Sequence, residues 1–201
     1  MGEMIVIDIE TTGQVPWEHS ILSIGAVDFN NPGNQFYMEC TARRGAKIDQ
    51  RALEINGFTM DEITSGKKES MEHMLREFVA WAGKVSDMTL AGHNHYMDVY
   101  FLEYSLNLFG IESPFRYRLV DTHTLVYAHM LSRNLDIPLD RNGSGINSEV
   151  FLKYCGLPKE PVPHNGLAGA KIEAEALSRL MFGKGIISEY KEFAIPEYLE
   201  R

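Results

Sequence analysis

Two hydrophobic periods run along this chain, and the places where one gives way to the other order its elements. Met4 to Ile9 is an apolar run with β-branched content and predicts a strand buried on both faces. Ile21 to Phe29 predicts a second strand and Gln35 to Cys40 a third. The cluster Asn30-Asn31-Pro32-Gly33 between them is turn chemistry. So short a link makes these two strands antiparallel neighbours. Ser70 then opens a helix in which Met71, Met74, Leu75, Phe78 and Ala82 recur at helical spacing. Thr89 to Gly92 is a short strand. Asp98 to Phe109 is a helix with Phe101, Leu102, Ser105 and Phe109 along one face. Leu119 to Thr122 predicts another strand, followed by a helix near Thr124 to Leu131. Ser148 to Cys155 and Gly166 to Phe182 are helices, the second with an apolar stripe of Leu167, Ala170, Ala174, Leu177 and Met181. Three strands in a meander, then alternating helix and strand, predict a mixed sheet flanked by helices.

The 201 residues suit one domain, with a core over about 4–182 and a C-terminal extension. Residues 132–147, with Asp140-Arg141-Asn142-Gly143-Ser144-Gly145, read as a surface insertion. Met1 to Glu10 lacks the basic start of a signal peptide. No apolar run approaches the roughly 20 residues that span a bilayer, so no membrane partner is expected. Cys40 and Cys155 are too few for a disulfide framework or a cysteine zinc site. We read them as ordinary thiols of a cytoplasmic protein. The net charge of −9 disfavours a protein that tracks a long nucleic acid along a basic groove. It leaves room for an enzyme that takes one strand end into an acidic pocket, where bound cations reverse the local field.

Asp8 and Glu10 end the first apolar strand, and the strand period puts both side chains on one face. Two neighbouring carboxylates repel, and hard cations such as magnesium or manganese are their natural compensation. The bland alternative is a solvated acid pair at a strand end. Thr11 and Thr12, with the tight backbone at Gly13, follow the acids and suit the holding of a terminal nucleotide; a plain turn is the alternative. Asp98 sits after Gly92-His93-Asn94, near a helix N-terminus, where capping alone favours an acid. Asn94 and the nearby aromatics suit a nucleic-acid end. His93 and His95 are weaker metal candidates beside so many carboxylates. His164 precedes the last helical stripe. Alone it reads as a packed or capping residue, but beside the acids it is a candidate general base.

These stretches, taken in order, resemble the DnaQ-like (DEDDh) 3'-5' exonuclease family of the RNase H-like superfamily. They are Ile5-Val6-Ile7-Asp8-Ile9-Glu10-Thr11-Thr12-Gly13, Ile24-Gly25-Ala26-Val27, Ala91-Gly92-His93-Asn94 with Asp98 and Phe101-Leu102, Val120-Asp121-Thr122, and Pro163-His164-Asn165-Gly166-Leu167. The resemblance implies an α/β, RNase H-like fold: a mixed β-sheet, an antiparallel meander plus parallel strands, flanked by helices. It implies two divalent ions, Mg2+ or Mn2+, with Asp8 on both, Glu10 on one and positioning the attacking water, and Asp98 on the far side. His164 would deprotonate that water, and Asp121 would be structural. Expected partners are the 3' end of single-stranded DNA or RNA and the nucleoside monophosphate product. A polymerase partner or homodimer is left open.

One position departs from the family pattern. Gly169 stands where an acid is expected five residues after His164. Neither helix propensity nor packing explains a glycine there. The expectation is therefore an impaired enzyme with one weakly held ion, its rate raised by Gly169→Asp. The alternative is a catalytically silent nucleic-acid or nucleotide-binding module of the same fold. Glu173, one helical turn further on, is expected to be a solvated helix-face acid beside Lys171 and Glu175 rather than a replacement.

Overall fold

The computed structural model describes residues 4–141 and 143–200. Met1 to Glu3, Asn142 within the expected insertion, and Arg201 lie outside the described residues. A five-stranded sheet runs in the order β3-β2-β1-β4-β5. It is formed by β1 (Ile5–Thr11), β2 (Ile21–Asp28), β3 (Gln35–Glu39), β4 (Leu90–Gly92) and β5 (Val120–Asp121). The first three strands pair antiparallel, and β4 and β5 continue the sheet in parallel. The expected mixed sheet is present.

The central strand sorts its side chains by parity. Ile5, Ile7 and Ile9 join the core beneath α3 (Met71–Ala82) and α4 (Tyr96–Leu108). Met4 and Val6 face the other way, into the cluster built on Ala170, Ala174 and Leu177 of α7 (Gly166–Phe182). The even register continues through Asp8 and Glu10, so both carboxylates emerge on the α7 side. The α3 stripe behaves as its spacing predicts: Met71, Met74, Leu75, Phe78 and Ala82 are all buried, and Ser70 caps the helix through the His73 N–H. Asn165 caps α7 by accepting from the Leu167 and Ala168 N–H groups.

Helix α7 lies directly on the strands, backbone against backbone. A Cβ on Gly25 of β2 would fall 2.0 Å from the Gly166 carbonyl carbon, and one on Gly166 would fall 2.8 Å from the Asp8 carbonyl oxygen. Only glycine allows that approach. A second core joins α5 (Thr122–Ser132), α6 (Ser148–Tyr154) and α7, with Val126, Phe151, Ile172 and Ala176 at its centre. The chain beyond Phe182 folds back and buries Ile187 and Leu199 against α7.

Several boundaries differ from the sequence reading. Two short helices, α1 (Gln50–Asn56) and α2 (Met60–Thr64), occupy a stretch with no expected element. Helix α4 begins at Tyr96, so Asp98 lies within its first turn rather than opening it. Helix α5 begins at Thr122, where a strand end was expected. The expected insertion carries a small hairpin, β6 (Leu139–Asp140) with β7 (Gly143–Ser144). Among the described residues no helix is long and apolar enough to cross a membrane.

Candidate active site and metal centre

The acids converge where β1, α4 and α7 meet. Asp98 reaches from the first turn of α4 to β1, and its Oδ1 accepts the Ile9 N–H at 3.0 Å, between Asp8 and Glu10. The Asp8 carboxylate lies against α7 at Gly169. His164 belongs to the segment between α6 and α7. Its N–H donates to the Ile55 carbonyl of α1 at 2.9 Å, and its half-buried ring has Nδ1 3.6 Å from Glu160 Oε2. Glu10, Glu160 and His164 each offer a ligand atom, all within 4.8 Å of one another.

Two further acids complete the cluster, and neither was expected. Glu160 enters from the segment before His164, and its Oε1 is buried with no hydrogen-bond partner. Glu173 projects from α7 and accepts the His93 N–H at 3.1 Å. The expected solvated Glu173 is therefore corrected. It shares the cluster with Asp98 and Glu160. Its neighbour Glu175 is buried and paired to Arg179.

Five carboxylates in so little space shift one another's protonation. Burial, then Glu10, Asp98, Glu173 and Glu160, hold the Asp8 carboxyl well above the usual range. Burial, then Glu160 and Asp98, push Glu10 up to about 8. Burial raises Asp98 to about 7 against the lowering effect of the Ile9 N–H. Glu173 is raised by burial and by Asp98 and Glu160, and Glu160 is raised by burial against the effect of His164. Among the described residues, no lysine or arginine pairs with any of the five. Among the described residues, no hydrogen bond to the carboxylate of Glu10, a residue nine-tenths buried, is present. An all-carboxylate set with an orphaned buried oxygen fits a hard divalent cation of the magnesium or manganese kind. His93 and His95 turn to other partners. His93 stacks on Phe151 at 5.4 Å and meets the Thr122 hydroxyl at 2.9 Å. His95 is buried with Nδ1 3.6 Å from Asp121, which also caps α5 through the Thr124 N–H.

A model of the Rv2179c-like 3'-5' exoribonuclease domain matches residues 3–181. The chain belongs to that family. Its relatives include DNA polymerase III subunit epsilon of Buchnera aphidicola, 28% identical over 184 residues, 88% of this chain and 68% of that protein. The PolC-type DNA polymerase III of Thermotoga petrophila is 26% identical over 171 residues, and the chain spans 12% of its length. Among solved structures, the nuclease domain of 3'hExo, a DEDDh family member bound to rAMP, superposes with a TM-score of 0.69 at 17% identity. The match covers 97% of this chain and 96% of that one. Escherichia coli Exonuclease I in complex with an oligonucleotide gives a TM-score of 0.69 at 15% identity over 92% of this chain and 41% of that one. The fold is that of the RNase H-like DEDDh exonucleases, and the family is described as one of 3'-5' exoribonucleases.

Within this family frame, the reading of Gly169 as unexplained by packing is corrected. A Cβ there would fall 1.9 Å from Asp8 Oδ2, 2.8 Å from Asp8 Cγ and 3.2 Å from Glu160 Oε1. Glycine at 169 is what lets the Asp8 carboxylate lie against the helix. The expectation for Thr12 also needs correction. Its hydroxyl is fully buried, donates to the Lys47 carbonyl at 2.7 Å and accepts the Ser20 N–H at 2.9 Å, so it holds a loop instead of facing a ligand. Thr11 lines a cleft that runs from Glu10 to Arg51, Ile55 and Asn56 of α1, while its hydroxyl donates to the Gly13 carbonyl. Asn94 is exposed at the turn into α4 with a left-handed backbone, φ 52°. Next to the cleft, sharing Gln14 with it, lies an apolar groove of Val15, Pro16, Trp17, Met97, Tyr100 and Tyr104.

Proposed function

We propose that this chain is a divalent-metal-dependent exonuclease that shortens single strands from the 3' end and releases nucleoside monophosphates. The observation that carries the reading is the grouping of Asp8, Glu10 and Asp98, with His164 beside Glu10 and Glu10 on the cleft wall. The family's description as exoribonuclease supports RNA as the favoured strand. Exposed rings at Trp17 and Tyr100 beside the cleft offer bases a stacking surface, and Arg51 on the cleft wall offers a cation to a phosphate. Buried free thiols at Cys40 and Cys155 support a cytoplasmic setting. A polymerase partner is supported only by what the relatives are.

The chemistry is hydrolysis of the last phosphodiester. Asp8, Glu10 and Asp98 are the residues that would hold Mg2+ or Mn2+. When bound, such ions neutralise the acids and stabilise the attacking and leaving oxygens of an in-line displacement. His164, held at its N–H by Ile55, accepts the proton of the attacking water. The water oxygen bonds to phosphorus, and the bond to the 3' oxygen of the penultimate nucleotide breaks. That oxygen takes a proton from solvent and becomes the new 3' hydroxyl. Glu10, one strand period from Asp8 and within reach of His164, orients the water.

The test is a time course on 5'-labelled single-stranded RNA and DNA with Mg2+ or Mn2+. Progressive 3' shortening with monophosphate release is expected. Asp8→Asn should lower the rate at least about 100-fold, as loss of a transition-state charge stabiliser typically does. Gly169 favours a second reading, a silent binding module, and strand retention without shortening at any metal concentration would establish it.

A further inference from the structure

We infer that Glu160 is the carboxylate that takes the place of the acid absent at position 169, completing the metal site from the segment before His164 rather than from α7. The inference rests on the exonuclease reading above. Three observations point to it. Glu160 Oε1 lies 3.2 Å from where a Cβ on residue 169 would stand, so this oxygen borders the volume that a helix-borne acid would claim. That oxygen is buried and has no hydrogen-bond partner. Glu10, nine-tenths buried and likewise without a described hydrogen bond, aims at the same point, with Glu160 and His164 atoms inside 4.8 Å. A buried polar atom left without a partner is costly. Glu160, which carries the orphaned oxygen, with a Glu10 carboxylate oxygen and a His164 ring nitrogen within 4.8 Å of its own ligand atom, is a ligand set for a cation.

The rival is Glu173. Its Oε2 is already engaged by the His93 N–H, and of the other acids Asp98 raises its carboxyl most. Glu173 is thus already tied to the turn after β4, whereas the Glu160 Oε1 that borders position 169 has no hydrogen-bond partner. The segment bearing Glu160 is tied to the body by its backbone at His164 and meets α6 through a surface ion pair. Lys159 pairs outward with Glu149 of α6 at 2.7 Å, and His164 is tied to α1. The glycine at 169 lets Asp8 and Glu160 share the space.

The test uses the full chain carrying Glu160→Gln, which keeps the shape and removes the charge. Mn2+ binding is followed by electron paramagnetic resonance and by calorimetry without nucleic acid. We expect affinity for one ion to fall at least about 10-fold, the lower bound seen even when an outer partner of a metal ligand is lost. The thermal midpoint of the metal-free protein should rise as repulsion is relieved. Unchanged Mn2+ affinity overturns the inference. So does a lowered metal-free midpoint, which would mark Glu160 as a structural residue. Unchanged affinity with a shifted pH profile of cleavage would show that Glu160 acts only by orienting His164, and it overturns the inference too. If the glutamine variant does not fold, Glu160→Asp, shorter by one methylene, should bind Mn2+ more weakly than the parent. Equal binding overturns the inference. Cleavage by the parent tests the exonuclease reading separately, since the metal titration needs no substrate.

Discussion

Glu175 and Glu173 sit two residues apart on α7 and meet opposite surroundings. Glu175 has a complete set of partners. Its Oε1 accepts from Arg179 Nε at 2.7 Å, and its Oε2 accepts the Ile186 and Ile187 N–H groups at 2.7 and 2.8 Å. Arg179 in turn spends its remaining N–H groups on the carbonyls of Cys155, Gly156, Tyr190 and Phe193. Glu173 has one N–H and otherwise faces acids. A buried charge that serves the fold finishes its partners inside the chain. The Glu173 cluster leaves its compensation to something that arrives from solvent, and such unfinished electrostatics mark functional sites.

The largest effect should come from breaking the finished pair. Arg179→Met leaves Glu175 buried without its counter-charge and should cost about 3–5 kcal/mol in chemical denaturation, with Mn2+ affinity of the folded protein retained. A cost below about 1 kcal/mol, the scale of a surface pair, would erase the contrast between the two glutamates. Gly169→Asp should come next. It forces a side chain into the space of the Asp8 carboxylate, so the metal-free protein should lose about 1–3 kcal/mol, the usual range for overpacking. A variant as stable as its parent and faster in cleavage would show that Asp8 swings aside, and the close-packing account of Gly169 would fail.

The smallest effect concerns pH. Glu10 is raised from 4.5 to about 8 in the fold. The folded state therefore holds more protons than the unfolded chain between those values, and stability must fall as pH rises. The contribution is complete below about 4.5, the unfolded value, and is lost as pH passes through about 8. Without metal, the thermal midpoint should drop by at least about 2–4 °C between pH 5.5 and 8.5, the displacement of roughly 1 kcal/mol at this chain length. Saturating Mg2+ should remove the drop, because the ionised acids then have a counter-charge. A metal-free midpoint that rises over this range would mean the five acids are not held together in solution.

What could be read in advance follows from the range of the forces involved. Helix α3 was legible to the residue, because Ser70 and five apolar positions are local signals of one period. The α1–α2 stretch was not, since α1 is short and mostly exposed. Yet its caps were present in the sequence, with Asp49 before it, Gly57 in a left-handed turn after it, and the Thr59–Glu62 capping box opening α2. The acids at 8, 10 and 98 and His164 were legible through family motifs. Glu160 was hidden in a proline-rich connection, Pro158 to Pro163, where no period applies and only its spacing of four from His164 hinted at proximity. Gly169 misled because a helix seen alone penalises glycine, whereas the reason for it sits on β1, far away in the chain.

The aromatic groove beside the cleft gives the molecule an optical asymmetry. Its two tryptophans occupy unlike media. Trp17 is 66% exposed on the groove rim. Trp81 stacks on Phe78 with centroids 6.0 Å apart and donates its indole N–H to Asn34 Oδ1 at 2.9 Å. Trp81, partly buried, is therefore expected to emit to the blue of Trp17 and to be quenched less readily. If the proposed strand lies along the groove, it should quench Trp17 and spare Trp81, giving an internally referenced probe of occupancy.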